Sequence, residues 1–123
     1  MDVLIVNASK PVTAALRGLL RAERERRIAT AASTTEAAAC ISRDRPAAAI
    51  LDTAIPGGSV LDVLAHAKRV SPQTVMIVLA GSADESTRAA CLEAGADHVF
   101  DRNSEFQEAV RVAAASVSAV AAT

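Results

Sequence analysis

Ala47-Ala48-Ala49-Ile50-Leu51-Asp52, followed across Pro56-Gly57-Gly58 by Ser59-Val60-Leu61-Asp62, decides how the rest of the chain is read. The first part is a short apolar run that ends in a single carboxylate, as a strand buried in a sheet does. The second sets a hydroxyl residue three positions before an acid, which is how many helices begin. A strand that leads into a helix is half of a strand–helix–strand unit, so the neighbouring sequence should repeat the pattern.

It does so in both directions. Apolar, β-branched runs recur at Val3 to Val6, Arg27 to Ala32, Val75 to Leu79 and Ala96 to Phe100. Each is followed by a segment of helical length. Ser33-x-x-Glu36, Ser82-x-x-Glu85 and Ser104-x-x-Gln107 repeat the start signal of Ser59-x-x-Asp62. The first helix has Ser9 or Lys10 near its cap and Pro11 where a missing N–H costs nothing, with Val12, Ala15, Leu16, Leu19 and Leu20 as its expected inward stripe. Ser71-Pro72 should stop the third helix, and Gly95 should close the fourth in a left-handed turn. The last helix should bury Phe106, Val110, Ala113, Val117 and Val120, leaving Val112, Ala115 and Ala119 as a small apolar strip beside the fifth strand. Five strand–helix units in succession predict an α/β fold with a parallel sheet covered on both faces.

With 123 residues the chain has the length of one domain, and 1–123 is read as one. It has two phenylalanines and neither tyrosine nor tryptophan, so it lacks the platforms on which single-stranded nucleic acid stacks. A formal net charge of -1 gives no basic footprint for a duplex, and nucleic acid is not an expected partner. Cys40 and Cys91 fall inside helical segments without metal-ligand or redox spacing and read as reduced packing residues. The mixed charges from Arg21 to Arg27 read as a solvated helix end. The start carries no basic leader and no stretch reaches membrane length, so a cytoplasmic, membrane-free location is expected.

Ligands of open parallel sheets gather at the carboxyl ends of the strands. Asp52 is the conspicuous carboxylate there, with Asn7 and Ala8 after the first strand, Ala80 and Gly81 after the fourth, and Asp101 and Arg102 after the fifth. His66 and His98 lack paired ligand spacing and are given no catalytic role. No glycine-rich phosphate loop follows the first strand, where Asn7-Ala-Ser-Lys-Pro11 stands, and Asp52-Thr53-Ala54 lacks the second carboxylate that a haloacid-dehalogenase-like phosphatase places two residues on.

Val3-Leu-Ile-Val-Asn-Ala-Ser9, Ala49-Ile-Leu-Asp-Thr-Ala-Ile-Pro-Gly57, Ile77-Val-Leu-Ala80 and Glu93-Ala-Gly-Ala-Asp97 resemble the successive landmarks of response-regulator receiver domains. The resemblance spans almost the whole chain and is most specific at Leu51 to Gly57. It implies a doubly wound, flavodoxin-like (βα)5 sandwich of three layers with sheet order 2-1-3-4-5. It also makes Asp52 the counterpart of the phosphoacceptor of two-component signalling. Such a transfer joins negative groups and needs a cation, which the family supplies as magnesium held by an acidic pair after the first strand, the phosphoacceptor and a backbone carbonyl.

Here the acidic pair is replaced by Asn7 and Ala8, and the carbonyl position is Ala54. The phosphate-binding hydroxyl is replaced by Ala80, the lysine by Arg102, and the aromatic switch residue by Val99. Magnesium prefers anionic oxygens, so its binding, through Asp52 if at all, is expected to be weak. Arginine keeps the charge but not the shape, and its planar fork could pair with Asp52 directly.

The expectation is a degenerate receiver of two-component signalling that is not an enzyme and works by protein–protein interaction, with weak or no Mg-dependent phosphorylation of Asp52. Its partners would be a histidine kinase, a downstream target, or a second copy of itself through helix 4, strand 5 and helix 5. The alternative is an ordinary receiver that takes a phosphoryl group on Asp52 from a histidine kinase.

Overall fold

The fold was analysed in a computed structural model, which describes residues 2–23, 27–81 and 84–122. Five strands alternate with five helices: β1 (Val3–Val6), α1 (Lys10–Glu23), β2 (Ile28–Ala31), α2 (Thr34–Asp44), β3 (Ala48–Asp52), α3 (Val60–Val70), β4 (Val75–Ala80), α4 (Glu85–Ala94), β5 (His98–Asp101) and α5 (Phe106–Ala122). All strands are parallel, in the order β2-β1-β3-β4-β5. This is the flavodoxin-like arrangement expected from the sequence.

Successive residues of a strand face opposite sides of the sheet, and the chain uses both sides. Val3, Ile5, Ala48, Ile50, Ile77 and Leu79 pack under α1 and α5 with Leu16, Leu20, Ala109 and Ala113. Leu4, Val6, Ala49, Leu51, Met76 and Val78 pack under α2, α3 and α4 with Ile41, Val63, Leu64 and Cys91. Every residue of β1 and β3 is buried, which is why those strands read as unbroken apolar runs and not as an alternation.

The predicted starts hold for three helices. Ser9 Oγ accepts from Val12 N–H at the head of α1. Ser33 caps α2 by accepting from Glu36 N–H, and Ser59 caps α3 by accepting from Leu61 N–H. Two starts are corrected. The cap of α4 is Asp84, whose carboxylate accepts from Thr87 N–H at 2.7 Å; Ser82 lies outside the described residues. Helix α5 begins at Phe106 and is not capped by Ser104, because Asp101 Oδ1 captures the N–H groups of Asn103 and Ser104 in a turn that delays the helix.

The inward stripe of α1 is also narrower than expected. Leu16 and Leu20 are fully buried and Val12 packs against the core, but Ala15 is exposed and Leu19 is 38% exposed. The helix is rotated so that half-buried Thr13 and Arg17 occupy that flank of the stripe. On α5 the buried residues are Ala109, Ala113, Ala114 and Val117, with Phe106 and Val110 half-buried. Val112 packs against the core instead of joining an outer strip, and Ala115 is exposed. The expectations for Ala119 and Val120 concern side chains outside the described ones.

At the amino end of the sheet a polar clasp replaces apolar packing. Buried Thr74 donates its hydroxyl to the Pro46 carbonyl at 2.7 Å and lies 2.6 Å from the hydroxyl of buried Ser71. Asp97 accepts from Met76 N–H at 2.8 Å, and Gly95, at φ 126°, closes α4 as anticipated. These contacts fix the end of the sheet opposite Asp52. Among the described residues no helix is long and apolar enough to cross a membrane.

Candidate functional site

Strand β3 delivers Asp52 to the carboxyl end of the sheet, where it is only 5% exposed. A carboxylate this buried must be paired or hydrogen-bonded, and Arg102, Ala54 and Asn7 donate to it. Arg102, just beyond β5, donates Nε to Oδ2 at 2.8 Å and Nη2 to Oδ1 at 2.6 Å. This is the two-pronged arrangement of a planar guanidinium on a carboxylate, and it is shorter and stronger than a neutral contact. Ala54 N–H reaches back to Oδ1 at 2.8 Å, and Asn7 donates Nδ2 to Oδ2 at 3.2 Å.

Asn7 is itself oriented by its other end. Its Oδ1 accepts from Ser9 N–H at 2.8 Å, in the turn that opens α1. The side-chain oxygen therefore points at backbone and the amide nitrogen at Asp52. Ala8 is exposed and brings no polar side-chain atom. Ala80 is buried in β4, and its carbonyl accepts from Arg102 N–H at 2.8 Å. Val99 is buried in β5. A shallow cavity of about 330 Å³ opens over Asp52, lined also by Asn7, Ala8, Ser9, Val12, Ala54 and Arg102.

This donor set does not fit magnesium. A hard divalent cation wants several anionic or carbonyl oxygens around one point. Here both carboxylate oxygens of Asp52 are engaged by a guanidinium, Asn7 turns N–H groups toward it, and Ala8 offers nothing. Among the described residues no group of three His, Cys, Asp or Glu side chains could hold a metal ion. The cation that the carboxylate meets belongs to the chain.

Three residues near the site were given no role by the sequence. At Gly81 a Cβ would lie 3.3 Å from both terminal nitrogens of Arg102, so the bare backbone leaves the space in which the guanidinium lies flat. Arg88, on α4, donates to the Val99 carbonyl at 2.6 Å and sits 4.0 Å from Glu105, whose carboxylate accepts from Asp101 N–H. Arg17 lines a separate cavity on the other side of Asn7. Gly81 could have been suspected from its place after Ala80, opposite a long basic residue; neither arginine carries any local signal. His66 bonds the Ser42 hydroxyl and His98 stacks on Phe100, contacts that involve no functional group of the site.

The sequence profile of the response regulator receiver domain matches residues 3–114. No curated protein matches the sequence. The signal receiver domain of NarL from Mycobacterium tuberculosis superposes with a TM-score of 0.81 at 16% identity, over 95% of each chain. The receiver domain of the sensor histidine kinase PA1611 from Pseudomonas aeruginosa PAO1, a structure with magnesium coordinated in its active site cleft, gives 0.80 at 18% identity, over 95% of this chain and 97% of that one. A chain from Chloroflexus aurantiacus J-10-fl described as a response regulator gives 0.80 at 28% identity, over 95% and 97%. Because the profile runs through all five strands and helices α1 to α4 and ends within α5, the chain belongs to the response regulator receiver domain family.

Proposed function

We propose that residues 1–123 form one receiver domain that signals by binding protein partners in the cytoplasm and not by Mg-dependent phosphorylation of Asp52. The observation that carries this reading is the two-pronged contact of Arg102 with Asp52. Phosphoryl transfer to a carboxylate needs that carboxylate free to attack and a cation free to bridge donor and acceptor. In this chain the attacking oxygens are held by a resident cation, the positions of the metal-binding acids are Asn7 and Ala8, and the positions of the phosphate hydroxyl and the switch aromatic are Ala80 and Val99. The domain on this reading is no enzyme. It is a surface whose shape is set by folding, offered to a histidine kinase, a downstream target or a second copy of itself.

The α4, β5 and α5 side suits such a role. Leu92 on α4 is 45% exposed, and Arg88 ties α4 to β5 without any phosphate-dependent group. The ordinary phosphoacceptor reading keeps one supporting observation, the open cavity over Asp52, which leaves room for a phosphodonor if Arg102 swings away.

An amide NMR titration with magnesium, then with beryllium fluoride, tests the choice, using Asp52→Asn as the control. We expect no saturable shifts around Asp52 at millimolar magnesium and no change with the acyl-phosphate mimic. Saturable shifts at Asp52, Thr53 and Arg102 that vanish in Asp52→Asn would establish the phosphoacceptor reading instead.

A further inference from the structure

Beside the Asp52 cavity, and sharing Asn7 and Ala8 with it, a second cavity of about 360 Å³ lies between α1 and the turn from β2 to α2. Lys10, Thr13, Ala14 and Arg17 line it from α1, at the spacing that places residues on one helical face. Thr30 and Glu36 line it from across the gap. The Thr13 hydroxyl is already donated to the Ser9 carbonyl, so the donors left to a ligand are Lys10, Arg17 and Thr30.

Arg17 supplies the decisive observation. Its Nε is shut off from solvent and has no hydrogen-bond partner, the one such side-chain atom among the described residues. A buried donor on a permanently charged group is left open at a cost, and native folds seldom leave one so without a reason. Glu36 stands on the same cavity but makes no ion pair with Arg17 or with Lys10 among the described residues. Two cations against one carboxylate leave the cavity net positive, and the arginine fork matches an oxyanion with two oxygens in reach.

We propose that this cavity binds a small phosphate ester, with its phosphate between Arg17 and Lys10 and its body against Ala14, Ala31 and Ala32. The volume is on the order of ten water molecules, more than a bare phosphate fills. No aromatic residue lines the cavity, so a nucleobase would find nothing to stack on, and a polyol or sugar phosphate is the fitting class. Two cationic side chains that line one cavity from two turns of one helix favour a dianion over a single carboxylate. Asn7 and Ala8 line both cavities, but Asp52 and Arg102 line only the neighbouring one, so the ligand would meet neither of them. The inference does not rest on whether Asp52 is phosphorylated.

Amide NMR titrations of the full chain at constant ionic strength, with glycerol 3-phosphate, inorganic phosphate and malonate as probes, test it. We expect saturable shifts at Ala14, Arg17, Thr30 and Ala32, with glycerol 3-phosphate binding more tightly than phosphate and phosphate more tightly than malonate. Arg17→Gln and the exposed Lys10→Gln should each weaken binding about tenfold, while Asp52→Asn leaves it unchanged. Lys10→Gln keeps the test valid should Arg17→Gln disturb the fold. No saturation at millimolar phosphate ester would overturn the proposal. So would malonate binding as tightly, shifts that survive both variants, or shifts centred on Arg102.

Discussion

At Arg102 two N–H groups meet the two oxygens of one carboxylate, and a lysine ammonium could not reproduce that geometry. Arg102→Ala should cost about 1.5–3 kcal/mol, toward the lower end because the Arg102 side chain is 31% exposed, and Arg102→Lys about 1 kcal/mol. Urea unfolding of both variants, combined with Asp52→Asn in a double-mutant cycle, measures the coupling. Gly81→Val should push the guanidinium off Asp52, since even a bare Cβ comes within 3.3 Å of it. Its expected signature is faster exchange of the Arg102 Nε–H, which donates to Asp52 in the parent chain, with Gly81→Ala showing a milder form. Position and chemistry made Asp52, Asn7 and Arg102 legible in the sequence, and the planar fork already suggested their pairing. The direction of the Asn7 amide and the use of Gly81 were not legible, because each depends on how two loops approach one another, which no local pattern encodes.

Helix α4 is the element most open to perturbation. Cys91 is its one buried residue, so it leans on its ends and on Arg88. Arg88→Ala should raise amide exchange across α4 about tenfold while leaving α1 and α5 unchanged. The Asp84 cap makes the same helix sensitive to acid. The bond from Thr87 N–H holds the Asp84 carboxyl below its ordinary value. Its folded pKa is therefore lower than its unfolded one, and the stabilisation is complete above the ordinary carboxylate range and lost as pH falls through the lowered value. Asp84→Ala should lower the urea midpoint at neutral pH, and the difference from the parent chain should vanish in strong acid.

Element order and type were readable from periodicity, and helix starts were readable where a serine hydroxyl is the nearest acceptor. The reading failed at Ser104, where the Asp101 carboxylate competes for the same N–H groups, and at α4, where Asp84 is the acceptor that meets the first turn. It failed again at Leu19, because the rotation of α1 is set by what it packs on and not by its own stripe.

For the molecule as a whole, two apolar layers carry the stability, both built from modest side chains on a fully buried β1 and β3. Leu64→Ala, in the layer under α3, should cost about 2–5 kcal/mol in thermal or urea unfolding. Both cysteines lie in that same layer. Burial raises the thiol pKa of each, and at Cys40 the contact with Asp44 adds to the effect. Thiol reagents should therefore label the native protein slowly at neutral pH and at full rate once urea unfolds it.

The strand order also fixes the sequence in which the sheet can assemble. β2 and β3 both pair with β1, β4 pairs with β3, and β5 pairs with β4, so every strand after β1 finds a neighbour already made as it leaves a ribosome. Growth runs outward from β1 one unit at a time. Asp52 emerges mid-chain with only Asn7 and Ala54 as donors, and Arg102 arrives fifty residues afterwards in the last unit. The ion pair can therefore form only once β5 has emerged, which makes it a late contact that ties the last strand–helix unit back to the middle of the sheet.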